Sequence, residues 1–213
     1  GTEVTILVSG EPGTGKEMVA KTLHGNSRRK DKNLVIVNCA GPDAERDLFS
    51  QNGIEKANGG TLVLQEVGAL PQSGQQALLK CLQEKKITKP GSPQQTALDV
   101  RLIATTSVNL QQAVNDGKFL ADLFKYVRII LIQIAPLRDR RQDILPTVRQ
   151  ILRRKVGEGK ALPILDPGVL AAFEKYSWPG NAGEIETVLD HALVSSSAGK
   201  ITTANLPADL VKA

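Results

Sequence analysis

The segment Gly10-Glu11-Pro12-Gly13-Thr14-Gly15-Lys16 constrains this chain more than any other, because it fits G-x-x-x-x-G-K directly after an apolar run, Val4-Thr5-Ile6-Leu7-Val8. A strand that feeds a glycine loop and then a helix lets backbone N–H groups crowd around one point. The helix adds its positive N-terminal end to that point. Such a cradle suits a phosphate, with Lys16 reaching the β- and γ-phosphates of a nucleotide. Gly10, Glu11, Pro12, Gly13, Thr14, Gly15 and Lys16, with Glu17 and Met18 after them, are the candidate contacts to ATP or ADP.

The metal side of the site is less regular. Glu17 stands where most such loops place a Ser or Thr hydroxyl on Mg²⁺. The run Thr61-Leu62-Val63-Leu64-Gln65-Glu66 offers a neutral amide where an aspartate is expected. Gln65 brings no negative charge to a metal ion. Glu66 remains as the candidate general base for an attacking water. Asn38, at the end of the neighbouring strand, is placed to hydrogen-bond the Glu66 carboxylate. Glu17 and Glu66 are the two carboxylates left to serve Mg²⁺.

Short apolar runs alternate with helical ones over the first part of the chain. The expected strands are Val4–Ser9, Leu34–Asn38, Thr61–Glu66, Arg101–Thr105 and Arg128–Ile134, and the expected helices are Gly15–Leu23, Gln72–Gln83 and Leu110–Asp116. That alternation predicts an α/β fold with a parallel sheet covered on both faces. After Pro136 the character changes, and Arg138–Lys155, Asp166–Tyr176, Asn181–Ser195 and Thr203–Val211 all read as helices. Asp166-Pro167 supplies an N-cap followed by proline at the first helical position, and Asn181 with Glu184 reads as a capping box. Gly157-Glu158-Gly159-Lys160 reads as a flexible connection. The expected division is residues 1–137 as nucleotide-binding subdomain and 138–213 as helical subdomain.

Composition narrows the class further. With 213 residues, 41% hydrophobic and 23% charged, the chain reads as globular, and aromatics at 3% leave an aliphatic core. A net charge of +5 is mild, so the clusters Arg28, Arg29, Lys30, Lys32 and Arg149, Arg153, Arg154, Lys155 read as solvated faces, not a nucleic-acid footprint. Cys39 and Cys81 have no metal-ligand spacing and read as free thiols in a reducing cytoplasm. No membrane span or signal peptide is expected. His24 and His191 read as surface or packing residues. Because the chain opens at the strand feeding the loop, it reads as a segment of a longer protein.

Several motifs in order carry a resemblance. They are Gly10–Glu17, Val37-Asn38-Cys39-Ala40, Ala57-Asn58-Gly59-Gly60-Thr61-Leu62, the run from Pro136 to Ile144, and Trp178-Pro179-Gly180-Asn181. Together they resemble the AAA+ domain of sigma-54-dependent transcription activators, bacterial enhancer-binding proteins of the NtrC type. The resemblance spans essentially the whole chain. It implies a three-layer α/β/α domain with a small helical lid and a ring-forming ATPase that remodels sigma-54 RNA polymerase. It also implies a sensor domain before this segment and a DNA-binding helix-turn-helix after it. Self-association and contact with RNA polymerase follow as expected partners.

Departures from the family pattern fall on one reaction path. The family's sigma-54-contacting loop, Gly-Ala-Phe-Thr-Gly-Ala, has no counterpart where Leu48-Phe49-Ser50 runs into Gln51-Asn52-Gly53-Ile54-Glu55-Lys56. The Walker B aspartate falls on Gln65. The two arginine fingers fall on Leu120 and Tyr126, with Arg128 as a poor substitute. The Sensor II arginine falls on Gly183, whereas Sensor I survives in part as Thr105-Thr106-Ser107. An arginine finger alone contributes about 10³- to 10⁵-fold to phosphoryl transfer. The expected function is therefore a regulatory module that binds ATP or ADP and hydrolyses it weakly or not at all. Two alternatives stay open: a slow Mg²⁺-dependent ATPase, and a sensor of another nucleotide such as a cyclic dinucleotide.

Overall fold

Aliphatic and β-branched runs too short for helices become strands here, and the longer segments between them become helices. A computed structural model describes residues 3–88, 95–157, 159–196 and 199–212. Two compact units result: Gly1–Gly10 with Lys16–Ile134, and Glu11–Gly15 with Ala135–Ala213. The loop residues Glu11–Gly15 thus group with the second unit, which a division by sequence position alone does not show.

In the first unit the order is β1 (Ile6–Ser9), α1 (Lys16–Gly25), β2 (Leu34–Asn38), α2 (Ala44–Phe49), β3 (Thr61–Gln65) and α3 (Gln72–Glu84). An antiparallel pair follows, β4 (Lys86–Thr88) with β5 (Gln95–Ala97), then β6 (Arg101–Thr106), α4 (Leu110–Asn115), α5 (Ala121–Val127) and β7 (Ile130–Gln133). Five strands form one parallel sheet in the order β2-β3-β6-β1-β7. Side chains alternate between its faces. Leu7, Val35, Val37, Leu62, Leu64, Leu102 and Ala104 join a core with α2 through α5, whereas Ile6, Val8, Val63 and Ile103 pack with Ala20 of α1. Both faces are covered, as an α/β parallel sheet requires.

The register matters for function. Ser9 lies opposite Thr106, and Asn38 opposite Gln65, so the carboxyl ends of β1, β2, β3 and β6 finish together. Open parallel sheets bind ligands at that end.

The connection after α2 is tight. The Ile54 amide donates to the Leu48 carbonyl at 2.8 Å, Ile54 is fully buried, and a Cβ on Gly53 would lie 2.2 Å from that same carbonyl.

In the second unit, α6 (Ile144–Val156), β8 (Ile164–Leu165), α7 (Pro167–Lys175), α8 (Asn181–Ser195), β9 (Lys200–Ile201) and α9 (Ala208–Lys212) follow in order, with β8 and β9 paired in parallel. Trp178 anchors the core. It is fully buried, its Nε1 donates to the Phe173 carbonyl at 2.9 Å, and it meets the Phe173 and Tyr176 rings edge-on at 5.4 and 5.2 Å. Ile144, Val148, Leu152, Ile185 and Leu189 from α6 and α8 close around it.

Several expectations are corrected by local chemistry. The single helix expected over 138–155 is broken, because Arg140 leaves helical space (φ −136°, ψ 55°) between a 3₁₀ turn over Leu137–Asp139 and a second over Arg141–Asp143 that leads into α6. Thr203–Val211 splits into a 3₁₀ turn and α9, since Pro207 lacks an N–H and holds Leu206 extended. α2 and α5 escape prediction because six and seven residues give too little periodicity. Asp166 caps α7 as expected, accepting from the Gly168 amide at 3.1 Å. The N-cap of α8, however, is Gly180, whose amide Glu184 accepts at 2.7 Å, while the Asn181 side chain is engaged elsewhere.

Arg29 is likewise no solvated residue: it joins Glu3, Asp99 and the Gly60 carbonyl. His24 packs inside, with Nδ1 2.9 Å from Thr61 Oγ1. Glu158 of the expected flexible connection lies outside the described residues. Among those residues, no helix is long and apolar enough to cross a membrane.

Two consequences can be measured. Trp178→Ala is expected to destabilise the second unit by about 3–5 kcal/mol in chemical denaturation. Burial, reinforced by the Glu66 charge, pushes the Cys39 thiol up to about 12. Cys39 should therefore resist thiol reagents at pH 8 in the native protein and react only after unfolding.

Candidate nucleotide site

Lys16 sits at the start of α1, 7% exposed, and its Nζ donates to the Gly10 carbonyl at 2.9 Å. The same ammonium lies 3.2 Å from Glu66 Oε1. Glu66 follows β3 in left-handed backbone (φ 51°, ψ 51°), a conformation that costs a non-glycine residue about 1–2 kcal/mol. Three contacts from β6 and the turn after it over-determine that position. The Glu66 amide donates to Thr105 Oγ1 at 3.3 Å, and Glu66 Oε2 accepts from the Ser107 amide at 2.7 Å and hydroxyl at 2.6 Å. Burial alone would raise the Glu66 carboxyl. The two Ser107 hydrogen bonds and the Lys16 charge more than offset this and hold it below its ordinary range.

Asn38 is used differently from the expectation. Its Oδ1 accepts from the Ala40 amide at 3.0 Å, and Ser107, not Asn38, holds the Glu66 carboxylate. Glu17 pairs with Lys21 at 2.6 Å, one helical turn on. The Lys21 hydrogen bond, with help from the Gln65 amide, keeps the Glu17 carboxyl below its ordinary range. Met18 is 56% exposed on the same helix. Among the described residues, no group of three or more His, Cys, Asp or Glu side chains is gathered to hold a metal ion. Glu17 and Glu66 each already have a cationic partner, and Gln65 brings no anionic oxygen. This set does not fit Mg²⁺, a hard cation that takes anionic oxygen ligands.

The middle of the loop belongs to the second unit, and its acceptors are taken one after another. Both terminal nitrogens of Arg138 donate to the Glu11 carboxylate, one at 2.8 Å. Asn181 Nδ2 donates to the Pro12 carbonyl at 3.0 Å, the Ala182 amide to the Gly13 carbonyl at 3.0 Å, and Arg140 Nη2 to the Thr14 carbonyl at 3.3 Å. Four successive residues are thus held through their acceptors, and the Thr14 amide and hydroxyl donate back to the Glu11 carbonyl at 3.3 and 2.7 Å. Gly13 has no substitute here: its φ is +75°, and a Cβ would fall 2.1 Å from the Gly180 carbonyl. Asn181 is fully buried at φ 54°, and its Oδ1 also accepts from the Leu137 amide at 2.8 Å.

Residues 1–135 match the family model described as the Sigma-54 interaction domain, and residues 138–213 match the AAA+ ATPase lid domain. The chain belongs to the Sigma-54 interaction domain family. Among its curated relatives, the sigma54-dependent transcriptional regulator SfnR of Pseudomonas fluorescens is 36% identical, over 93% of this chain and 59% of that protein. The regulatory protein AtoC of Escherichia coli is 37% identical, over 96% of this chain and 48% of that protein. The chain thus spans about half the length of these relatives. NtrX from Brucella abortus, solved in complex with ADP, superposes with a TM-score of 0.88 at 29% identity, covering 99% of this chain and 51% of that one. NtrX was also solved with ATP. The Sigma-54 interaction domain fold and its AAA+ lid are therefore both present.

Sequence reasoning missed three site residues of this domain. Ser107 was read only as part of the Sensor I segment, and Arg138 and Asn181 lay within family motifs, but none was given its partner, which is 41 to 170 positions away. Gly183 packs near Gly13 without offering a side chain: a Cβ there would meet Gly13 Cα at an ordinary contact distance of 3.5 Å.

Hydrogen bonds from Arg138, then from Asn181, lower the Glu11 carboxyl from its ordinary 4.5 to about 2. A depressed folded-state value means that the contribution to stability is fully present above pH 4.5 and is lost as pH falls toward 2. The stability difference between wild type and Glu11→Gln, measured by urea denaturation, should therefore shrink steadily between pH 4.5 and 2.

Proposed function

We propose that this domain binds ATP or ADP as a retained ligand of a transcription regulator and hydrolyses it weakly or not at all. The observation that carries this reading is the contrast between an intact phosphate loop and the residues found along the rest of the reaction path. Lys16 and the shaped loop are what nucleotide binding requires, and the ADP and ATP complexes of NtrX support the same ligand class. Gln65 replaces an anionic partner of the metal. Leu120 is packed into the core, Tyr126 carries no charge, and the Arg128 guanidinium lies 5.3 Å above the Phe124 ring. Gly183 offers only hydrogen at the Sensor II position.

The closed turn from Leu48 to Ile54 supports the absence of the sigma-54-contacting loop, so remodelling of sigma-54 holoenzyme is not part of the proposal. RNA polymerase or other transcription machinery remains the proposed partner, because the relatives are named as transcriptional regulators. Self-association in the full-length protein, DNA contact through a helix-turn-helix outside these residues and a cytoplasmic location complete the reading.

A second reading, a slow Mg²⁺-dependent ATPase, draws support from Glu66, which Ser107 holds as a well-positioned carboxylate. Sensing of a cyclic dinucleotide has less support. Arg138, Arg140 and Arg141 already donate to Glu11, Thr14 and Glu174.

Calorimetric titration with ADP and ATP tests the main reading. Wild type should bind both, and Lys16→Ala should weaken binding by about 10- to 100-fold, the worth of a charge-assisted hydrogen bond. ATP turnover should match the Lys16→Ala background. Turnover that vanishes with Lys16→Ala would establish the ATPase reading instead.

A further inference from the structure

We infer that β7 is a self-docking edge, along which two copies of this chain pair antiparallel about a two-fold axis through Leu131. This goes beyond the proposed function, which gives self-association no surface, and it does not depend on nucleotide binding.

The backbone supplies the first argument. β7 ends the sheet order β2-β3-β6-β1-β7 and has a strand on one side only. The Ile130 and Ile134 amides donate to the Thr5 and Ser9 carbonyls at 3.2 and 2.8 Å, and the register sets Ile6 against Ile130. Even-numbered residues of β7 therefore serve β1. Alternate residues of a strand aim their backbone groups at opposite neighbours. The N–H and C=O of Ile129, Leu131 and Gln133 thus turn to the open edge, and among the described residues none bonds to them.

The side chains supply the second. Charge, proline or a covering segment commonly blunts such an edge. Here the run Ile129-Ile130-Leu131-Ile132-Gln133-Ile134 has neither charge nor proline, a composition that favours strand pairing. Ile129, Ile130 and Leu131 are 54%, 37% and 42% exposed. The opposite edge strand differs, because Leu34 and Ile36 of β2 are half-buried and packed in the cluster that contains Ala20 of α1.

A second copy is the occupant because the edge is complementary to itself. Antiparallel pairing about Leu131 sets that residue against its own copy, and Ile129 against Gln133 of the partner subunit. Every outward N–H then finds an outward C=O. Ile130 falls opposite Ile132 of the partner subunit, so apolar side chains meet on both faces of the joined sheets. No like charges face each other within the run. Arg128, the charge just before it, lies over the Phe124 ring at 5.3 Å, and Pro136, which has no N–H, limits pairing beyond Ile134. One short strand from each copy gives an interface below about 1,200 Å², the size of weak and transient contacts, so a Kd of about 10–100 µM is expected. Two-fold pairing uses up the β7 edge of both copies and closes at a dimer.

The test is sedimentation velocity of the 213-residue chain without nucleotide, at concentrations spanning that Kd. Wild type should pass from monomer to dimer. Leu131→Pro removes an N–H that faces outward and spares the ladder to β1, and it should weaken the dimer at least about tenfold. Leu131→Lys and Leu131→Glu each set like charges across the axis and should weaken it about as much, whereas their equimolar mixture should recover the dimer. The charged pair keeps the test open if Leu131→Pro fails to fold. A wild type that stays monomeric up to about 500 µM, or that assembles beyond a dimer, would overturn the inference. So would a dimer that survives the substitutions, or a mixture of Leu131→Lys and Leu131→Glu that stays monomeric.

Discussion

The ion pair between Lys16 and Glu66 is the contact on which the candidate site residues within the first unit depend. It joins the helix after β1 to the turn after β3, and Ser107 ties the same carboxylate to the turn after β6. Parallel register makes this possible, because it ends those strands side by side. The left-handed backbone at Glu66 is tolerated for the same reason: hydrogen bonds to Thr105 and Ser107 outweigh a conformational cost of about 1–2 kcal/mol. A nucleotide that engages Lys16 must compete with Glu66 for it, so ligand binding and the freedom of Glu66 are linked.

The loop itself is shaped by a different set of residues. Arg138, Asn181, Ala182 and Arg140 fix successive acceptors from Glu11 to Thr14, and Gly13 fits only because it lacks a Cβ. The phosphate-binding motif and the Trp-Pro-Gly-Asn motif are therefore one structural device, although they lie at opposite ends of the chain. Buried Asn181, strained at φ 54°, is the clearest sign of it.

How much of this was legible in the sequence follows from where the information lies. The strand–loop–helix around Gly10–Lys16 was readable because apolar periodicity and glycine spacing are local. So were β2, β3 and β6, whose runs are aliphatic on both faces. The loss of charge at Gln65 was visible too, as it needs only a residue type at an expected place. The partners of Glu66 were not. Asn38 and Ser107 both lie at strand ends near it, and only the turn after β6 decides that Ser107 takes the carboxylate while Asn38 caps its own turn through Ala40. The Glu17–Lys21 pair was not foreseen either, although it lies within α1. The helix breaks differ in kind: the reading of Thr203–Val211 as one helix passed over Pro207, a local signal of a break, whereas Arg140 departs from helical backbone in a conformation that its sequence does not signal.

Binding without turnover is the core of the account, and the fate of bound ATP tests it most directly. ATP labelled on the γ-phosphate would be mixed with excess protein in Mg²⁺, and the bound nucleotide recovered over several hours. The account predicts that it returns as ATP, with loss no faster than in the Lys16→Ala protein. Conversion to ADP and labelled phosphate within minutes, absent from Lys16→Ala, would contradict it.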